Sequence, residues 1–332
     1  MEIQSMISFK GKILFVSENE IYISKADKIY KSIDNGKTWE LWIALPVSFF
    51  EKIKMRTPLL SRLLRKSIHH LTVVEDMGII IANKESYIVR NNTISYIEPL
   101  HGSRPMVLCK TKEQDVLYGE YRSNPERSEV HIWKFNKLNL TWDIVWSFDN
   151  VRHIHGIFYD EYTNSIWITT GDDDKEAGIY VTKNNFKTVE KVVGGSQQFR
   201  AVQLLFSENF IYFGSDAPDE KNYIYRMYRD GTNIEKLAEV GSSVFYGTKV
   251  NNSYFFSTAI EPSPCNQTKY SEIWRSDDGS KWYIYKKKKK DMWSMKYFQY
   301  GQIFFPNGEN NKVIHYSPFA THNSGNSYCE KL

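Results

Sequence analysis

Histidines, arginines and carboxylates fall in small clusters along this 332-residue chain. His153 and His155 flank Ile154, so on an extended strand both would point to one face. Comparable clusters hold His69 and His70, His101 with Arg104, Arg152, Gln197 with Gln198 and Arg200, and Tyr246. A second series contains Glu120 with Tyr121 and Arg122, Asp172 to Asp174, Asp216 and Glu261. Three kinds of chemistry suit these types. Arginine forms bidentate, charge-assisted bonds with carboxylates. Histidine and tyrosine move protons near neutral pH, and paired carboxylates such as Glu120, Asp172, Asp216 and Glu261 can cleave glycosidic bonds. Histidines with a glutamine can also hold a divalent metal, for which His70, His153, His155 and Gln198 are the candidate ligands.

The elements that must position these groups read as short β-strands. Residues 153–193 contain four runs, HIHGIFY, SIWITT, GIYVTK and TVEKVV, separated by turn residues. The same four-run pattern recurs through the chain, and almost nothing reads as a long helix. Turn motifs near residues 142, 189 and 282 are spaced by about one and about two periods of about 47 residues, and the chain accommodates about seven such periods. The expected fold is therefore all-β, a single β-propeller domain over residues 1–332 with seven four-stranded blades; six blades plus a terminal ribbon is the alternative. The last set, WSMKYF, QIFF and KVIHYS, has three runs, so a strand around Ile3 to Ile7 is expected to supply the fourth and close the ring.

One turn motif is complete. SIDNGKTW places Ser32, Asp34, Gly36, Thr38 and Trp39 in the Ser-x-Asp-x-Gly-x-Thr-Trp pattern, and it resembles the Asp box of the bacterial neuraminidase repeat family, a sialidase-like group of β-propellers. A second copy keeps Asp277, Gly279 and Trp282 but has Arg275 where the serine would stand. A third is reduced to Thr182, Asn184 and Thr188, and a fourth to Thr141 and Trp142. Residues 68–285 more widely resemble glycosyl-hydrolase-like repeat proteins of unassigned activity. The resemblance implies that Asp boxes turn between the two outer strands of a blade. It also implies that starts of innermost strands and ends of second strands share the opposite face. The polar clusters fall at those starts and ends, and five of the eight histidines lie at starts.

A sialidase is not expected, because the chain lacks the Arg-Ile-Pro motif and its Arg104, Arg152 and Arg200 occupy consecutive blades. The function expected is action on, or binding of, an acidic oligo- or polysaccharide. The catalytic candidates for a lyase or glycosidase are His153, His155, Tyr246, Glu120 and Asp172. His70, His101, Arg104, Arg152, Gln198, Arg200, Asp216 and Glu261 are candidates for substrate binding, with a divalent metal as an optional cofactor. A non-catalytic glycan-binding or scaffold propeller is the alternative.

The net charge of +4 is concentrated in residues 49–66 and in Lys286 to Lys290, which excludes the broad basic surface of a nucleic-acid binder. In residues 49–66, Thr57 and Pro58 read as a helix start, and Leu59, Leu60, Leu63 and Leu64 oppose Arg62, Arg65 and Lys66. This basic amphipathic insertion between blades one and two could touch an anionic membrane surface. Three scattered cysteines and an N-terminus interrupted by Glu2, Lys10 and Lys12 lead to a cytoplasmic expectation.

Overall fold

The computed structural model describes residues 6–309 and 312–332. Seven antiparallel four-stranded sheets follow one another as blades in a ring, and blade one gains a short parallel partner, Asn307–Gly308. The innermost strands, in blade order, are Lys12–Val16, Ile68–Val74, Cys109–Lys110, Ile154–Asp160, Ala201–Phe206, Val244–Val250 and Gln302–Phe304. Second strands such as Met77–Ala82, Ser165–Thr170 and Ile211–Ser215 are buried at every residue, being covered on both faces by neighbouring blades. That is why they read as nearly continuous apolar runs rather than alternating ones.

The core is divided by the same geometry. Among the described residues there are seven hydrophobic clusters, one at each interface between successive blades. Each fully buried aliphatic side chain in them contributes roughly 1.5–3 kcal/mol. Where blades approach most closely, glycine is required. A Cβ on Gly119 would lie 2.3 Å from Ile154 Cγ2, and one on Gly214 would lie 2.4 Å from Val244 Cβ.

The N-terminus closes the ring as the outermost strand of blade seven: Ile7–Lys10 pairs with Asn326–Lys331, with Phe9 opposite Ser327. The expected start at Ile3 lies outside the described residues. Blade seven otherwise differs from the sequence reading. Its strands are Gln302–Phe304, Val313–Phe319 and Asn326–Lys331, whereas the run WSMKYF forms a short helix, Met295–Phe298.

The Asp boxes turn between the third and fourth strands. Ser32 Oγ accepts from the Gly36 N–H, and Asp34 Oδ1 accepts from the Thr38 N–H, both at 2.9 Å. Thr182 and Asn184 repeat these bonds to Phe186 N and Thr188 N at 3.0 Å, and Phe186 adopts φ 62° where the complete box has Gly36 at φ 83°. The copy in blade six shifts by one residue. Ser276 and Asp278, rather than Arg275 and Asp277, form its core, with Asp278 accepting from Ser280 N and Lys281 N. Asp277 instead pairs with Arg275 and accepts from Ser253. The tryptophans pack toward the preceding blade: Trp39 on Phe9, Trp282 near Tyr212, and Trp142 with its Nε1 donating to Ser86.

The insertion forms two helices, α1 (Phe49–Arg56), capped by Ser48, and α2 (Pro58–Leu63). Its amphipathic pattern differs from the expected one. Arg62 is buried, ion-paired with Asp291 at 2.6 Å and bonded to the Phe298 carbonyl, while Leu63 and Leu64 are exposed. Arg62 thus fastens α2 to the Met295–Phe298 helix and is withdrawn from solvent.

Candidate functional site

Innermost-strand starts and second-strand ends open onto a funnel-shaped cavity of about 1990 Å³, with α2 and the Met295–Phe298 helix on its rim. Five innermost strands carry a β-bulge near their start, at Leu14, His69, His155, Val202–Gln203 and Phe245. A bulge re-aims side chains locally. Lys12, His70, Arg104, His155, Arg200 and Tyr246 all reach the cavity, as do Asp172, Asp216 and Glu261.

The tightest constellation lies in blade four. His153 Nε2 and His155 Nε2 are 3.0 Å apart, and each is 3.2 Å from Asp172 Oδ1. Each Nδ1 faces a backbone carbonyl, Arg122 O for His153 at 3.3 Å and Ala201 O for His155 at 3.2 Å. A carbonyl can only accept, so each Nδ1 carries a hydrogen, while the two Nε2 atoms face each other and the Asp172 carboxylate oxygen. Burial pushes the His155 imidazole down to about 4 against the opposing pull of Asp172. Tyr121 covers His153, with ring centroids 4.2 Å apart. Asp172 is held by Arg152 at 3.1 Å and Arg200 at 3.3 Å, and Gln197 donates to its backbone carbonyl.

Charge in the funnel is segregated. Blades four to six supply carboxylates. Asp216 is pushed up to about 7, chiefly by burial and further by Glu261 and Asp172, with Arg200 opposing. Glu261, which accepts from Ser243 at 3.0 Å, is also raised by burial. Asp216 is therefore partly protonated near neutrality. Arg200 is spent on this side, lying 3.3 Å from both Asp172 and Asp216.

Blades one to three supply cations. Lys12 donates to the His69 carbonyl at 2.9 Å and sits over the Phe304 ring; burial, and then the Arg104 charge, lowers it to about 7. Arg104 is half-buried and makes no ion pair or hydrogen bond with any described residue; burial lowers it too. Burial also drives His70 down to about 3, with its Nε2 3.0 Å from Pro105 O. Tyr246 is raised by burial and packs on Phe304.

Other sequence candidates lie elsewhere. His101 stacks on Trp133 at 3.9 Å, and Glu120 accepts from Trp133 Nε1 at 2.9 Å and pairs with Arg122. Neither reaches the cavity, and nor does Gln198 in its turn. Arg152 and His153 stand just behind the lining, touching Asp172. Of the metal candidates, His70 is bonded to Pro105 and only His153 and His155 come together. Tyr121 and Gln197 stand in the sequence clusters without an assigned role, and Lys12 does not appear in them. Lys12 obeys the rule that located the others, since it begins an innermost strand, that of blade one.

No known protein family and no curated protein matches the sequence. Solved structures share the architecture. A chain of a mitotic checkpoint complex aligns with a TM-score of 0.59 and 9% identity over 98% of this chain and 93% of its own. A protein described as TolB from Agrobacterium tumefaciens gives 0.51 and 11% over 99% of both chains. The CNH domain of AfRom2 gives 0.53 and 7% over 98% of this chain and 94% of its own. At such identities these likenesses show the fold alone, a seven-bladed β-propeller, and the sialidase-like family suggested by the Asp boxes is not shown by them.

Proposed function

We propose that this protein binds an acidic oligo- or polysaccharide in the funnel and acts on it as a polysaccharide lyase or glycosidase. The observation that carries the reading is Arg104. A half-buried guanidinium without an anionic partner, beside a half-buried lysine that also lacks one, is costly unless a ligand supplies the charge. A carboxylate matches the guanidinium fork. The cavity exceeds the roughly 300–1,000 Å³ of common small-molecule pockets, which favours several sugar units, and Tyr121, Tyr246, Trp293 and Phe304 offer ring faces for stacking.

Chemistry follows from the same segregation. With a uronate carboxylate on Arg104, elimination needs a base for the adjacent acidic proton and an acid for the leaving oxygen. Lys12, titrating near neutrality, serves as the base, in place of the histidines whose Nε2 atoms face Asp172. Asp216, which titrates near neutrality beside Glu261, serves as the acid. Uronate polymers incubated with the protein are expected to yield ultraviolet-absorbing unsaturated ends. New reducing ends without that absorbance would assign a glycosidase, and neither product would reduce the reading to a binder.

The exposed Phe49 and Phe50, each 72% accessible, with Ile53, Leu63 and Leu64, favour a second property, peripheral contact of α1 and α2 with an anionic membrane. That contact would set the funnel rim against the lipid surface.

A further inference from the structure

We propose that His153, His155 and Asp172 hold a divalent transition-metal ion. Distances of 3.0, 3.2 and 3.2 Å between Nε2, Nε2 and Oδ1 define a triangle whose circumscribed circle has a radius of about 1.8 Å. This is shorter than the ~2.0–2.2 Å bonds of zinc to imidazole and carboxylate. An ion about 1 Å above the plane therefore meets all three atoms at bonding distance with no side chain moved.

The supporting shell is that of a metal site. Each imidazole is oriented by an Nδ1–H donated to a main-chain carbonyl, and the carboxylate is fixed by Arg152 and Arg200. The two Nε2 atoms and the carboxylate oxygen crowd within 3.2 Å of one another in a site where His153 is 5% and His155 2% exposed. A cation beside them is bonded by all three atoms at once. His155 and Asp172 line the cavity, so the remaining coordination positions open toward the funnel, where water or a sugar oxygen can enter. Two imidazoles with one carboxylate select zinc, manganese, iron, cobalt or nickel over calcium and magnesium, which prefer all-oxygen sites. The two arginines on the same carboxylate weaken the site relative to an isolated triad.

The inference stands without the sugar reading, and its test contains no sugar. The tag-free full chain is stripped with a chelator, dialysed against zinc, manganese or cobalt, and analysed by elemental mass spectrometry. About one ion per chain is expected, together with a raised melting temperature and, for cobalt, visible ligand-field absorption. The near-isosteric variants His155→Gln and Asp172→Asn, checked for folding by circular dichroism, are expected to lose the ion, the melting shift and the absorption. Absence of stoichiometric metal in the wild-type protein, or equal loading of wild type and both folded variants, would overturn the proposal.

Discussion

Replacing Lys12 with methionine should make the protein more stable below pH 7 and remove part of its pH dependence. Lys12 titrates near 7 in the folded chain against an ordinary value of 10.5, because burial and Arg104 disfavour its charged form. Between those values the unfolded chain binds the proton that the folded chain has released, so stability rises with pH over about 7 to 10.5 and is lowest below 7. The difference corresponds to an upper bound of about 4–5 kcal/mol. Methionine forfeits the bond to the His69 carbonyl and the contact with the Phe304 ring, together about 1–2 kcal/mol. The net gain expected at pH 6 is therefore about 2–4 kcal/mol, fading to a net loss above pH 10. Urea unfolding of both proteins from pH 6 to 10 reads this directly. Parallel stability profiles, or a variant less stable at pH 6, would refute the claim that a half-buried, unpaired lysine stands in the funnel.

Trp142→Ala, which empties a buried site and removes the Nε1 donor to Ser86, should cost about 3–5 kcal/mol in chemical unfolding. Trp39→Ala should cost less, because that ring is half-buried, and an equal loss would contradict the packing described. Gly119→Ala should cost about 1–3 kcal/mol by overpacking against Ile154 and should shift the imidazole NMR signals of His153 and His155; unshifted signals would separate the blade contact from the site. Phe49→Ser with Phe50→Ser should abolish sedimentation with anionic vesicles at low salt, and sedimentation with neutral vesicles or none by the wild type would end the membrane reading.

The blades were legible because their signals are local. A box such as Ser32 to Trp39 specifies its turn through bonds spanning two to four residues, and strand periodicity needs no distant partner. Blade seven was harder. Asn326–Lys331 is polar at its ends, whereas WSMKYF is apolar enough to resemble a strand although it forms a helix on the rim. That strand starts and ends share one cavity could be read from the sequence, but which of their side chains meet there could not. Arg104 and Arg200 both precede an innermost strand, and only the fold gives Arg200 two carboxylates and leaves Arg104 none. Arg62 failed for a related reason, since its burial depends on Asp291, 229 residues away.

Calorimetric titration with an acidic uronate oligosaccharide and its carboxyl-reduced neutral counterpart, against wild type and Arg104→Gln, tests the central claim most directly. Loss of a charge-assisted pair of about 1.5–3 kcal/mol predicts a roughly 10- to 150-fold weaker affinity for the acidic sugar alone, with the neutral sugar bound about equally by both proteins. Equal affinity of the wild type for both sugars, or an equal loss for both in the variant, would contradict an anion-binding funnel.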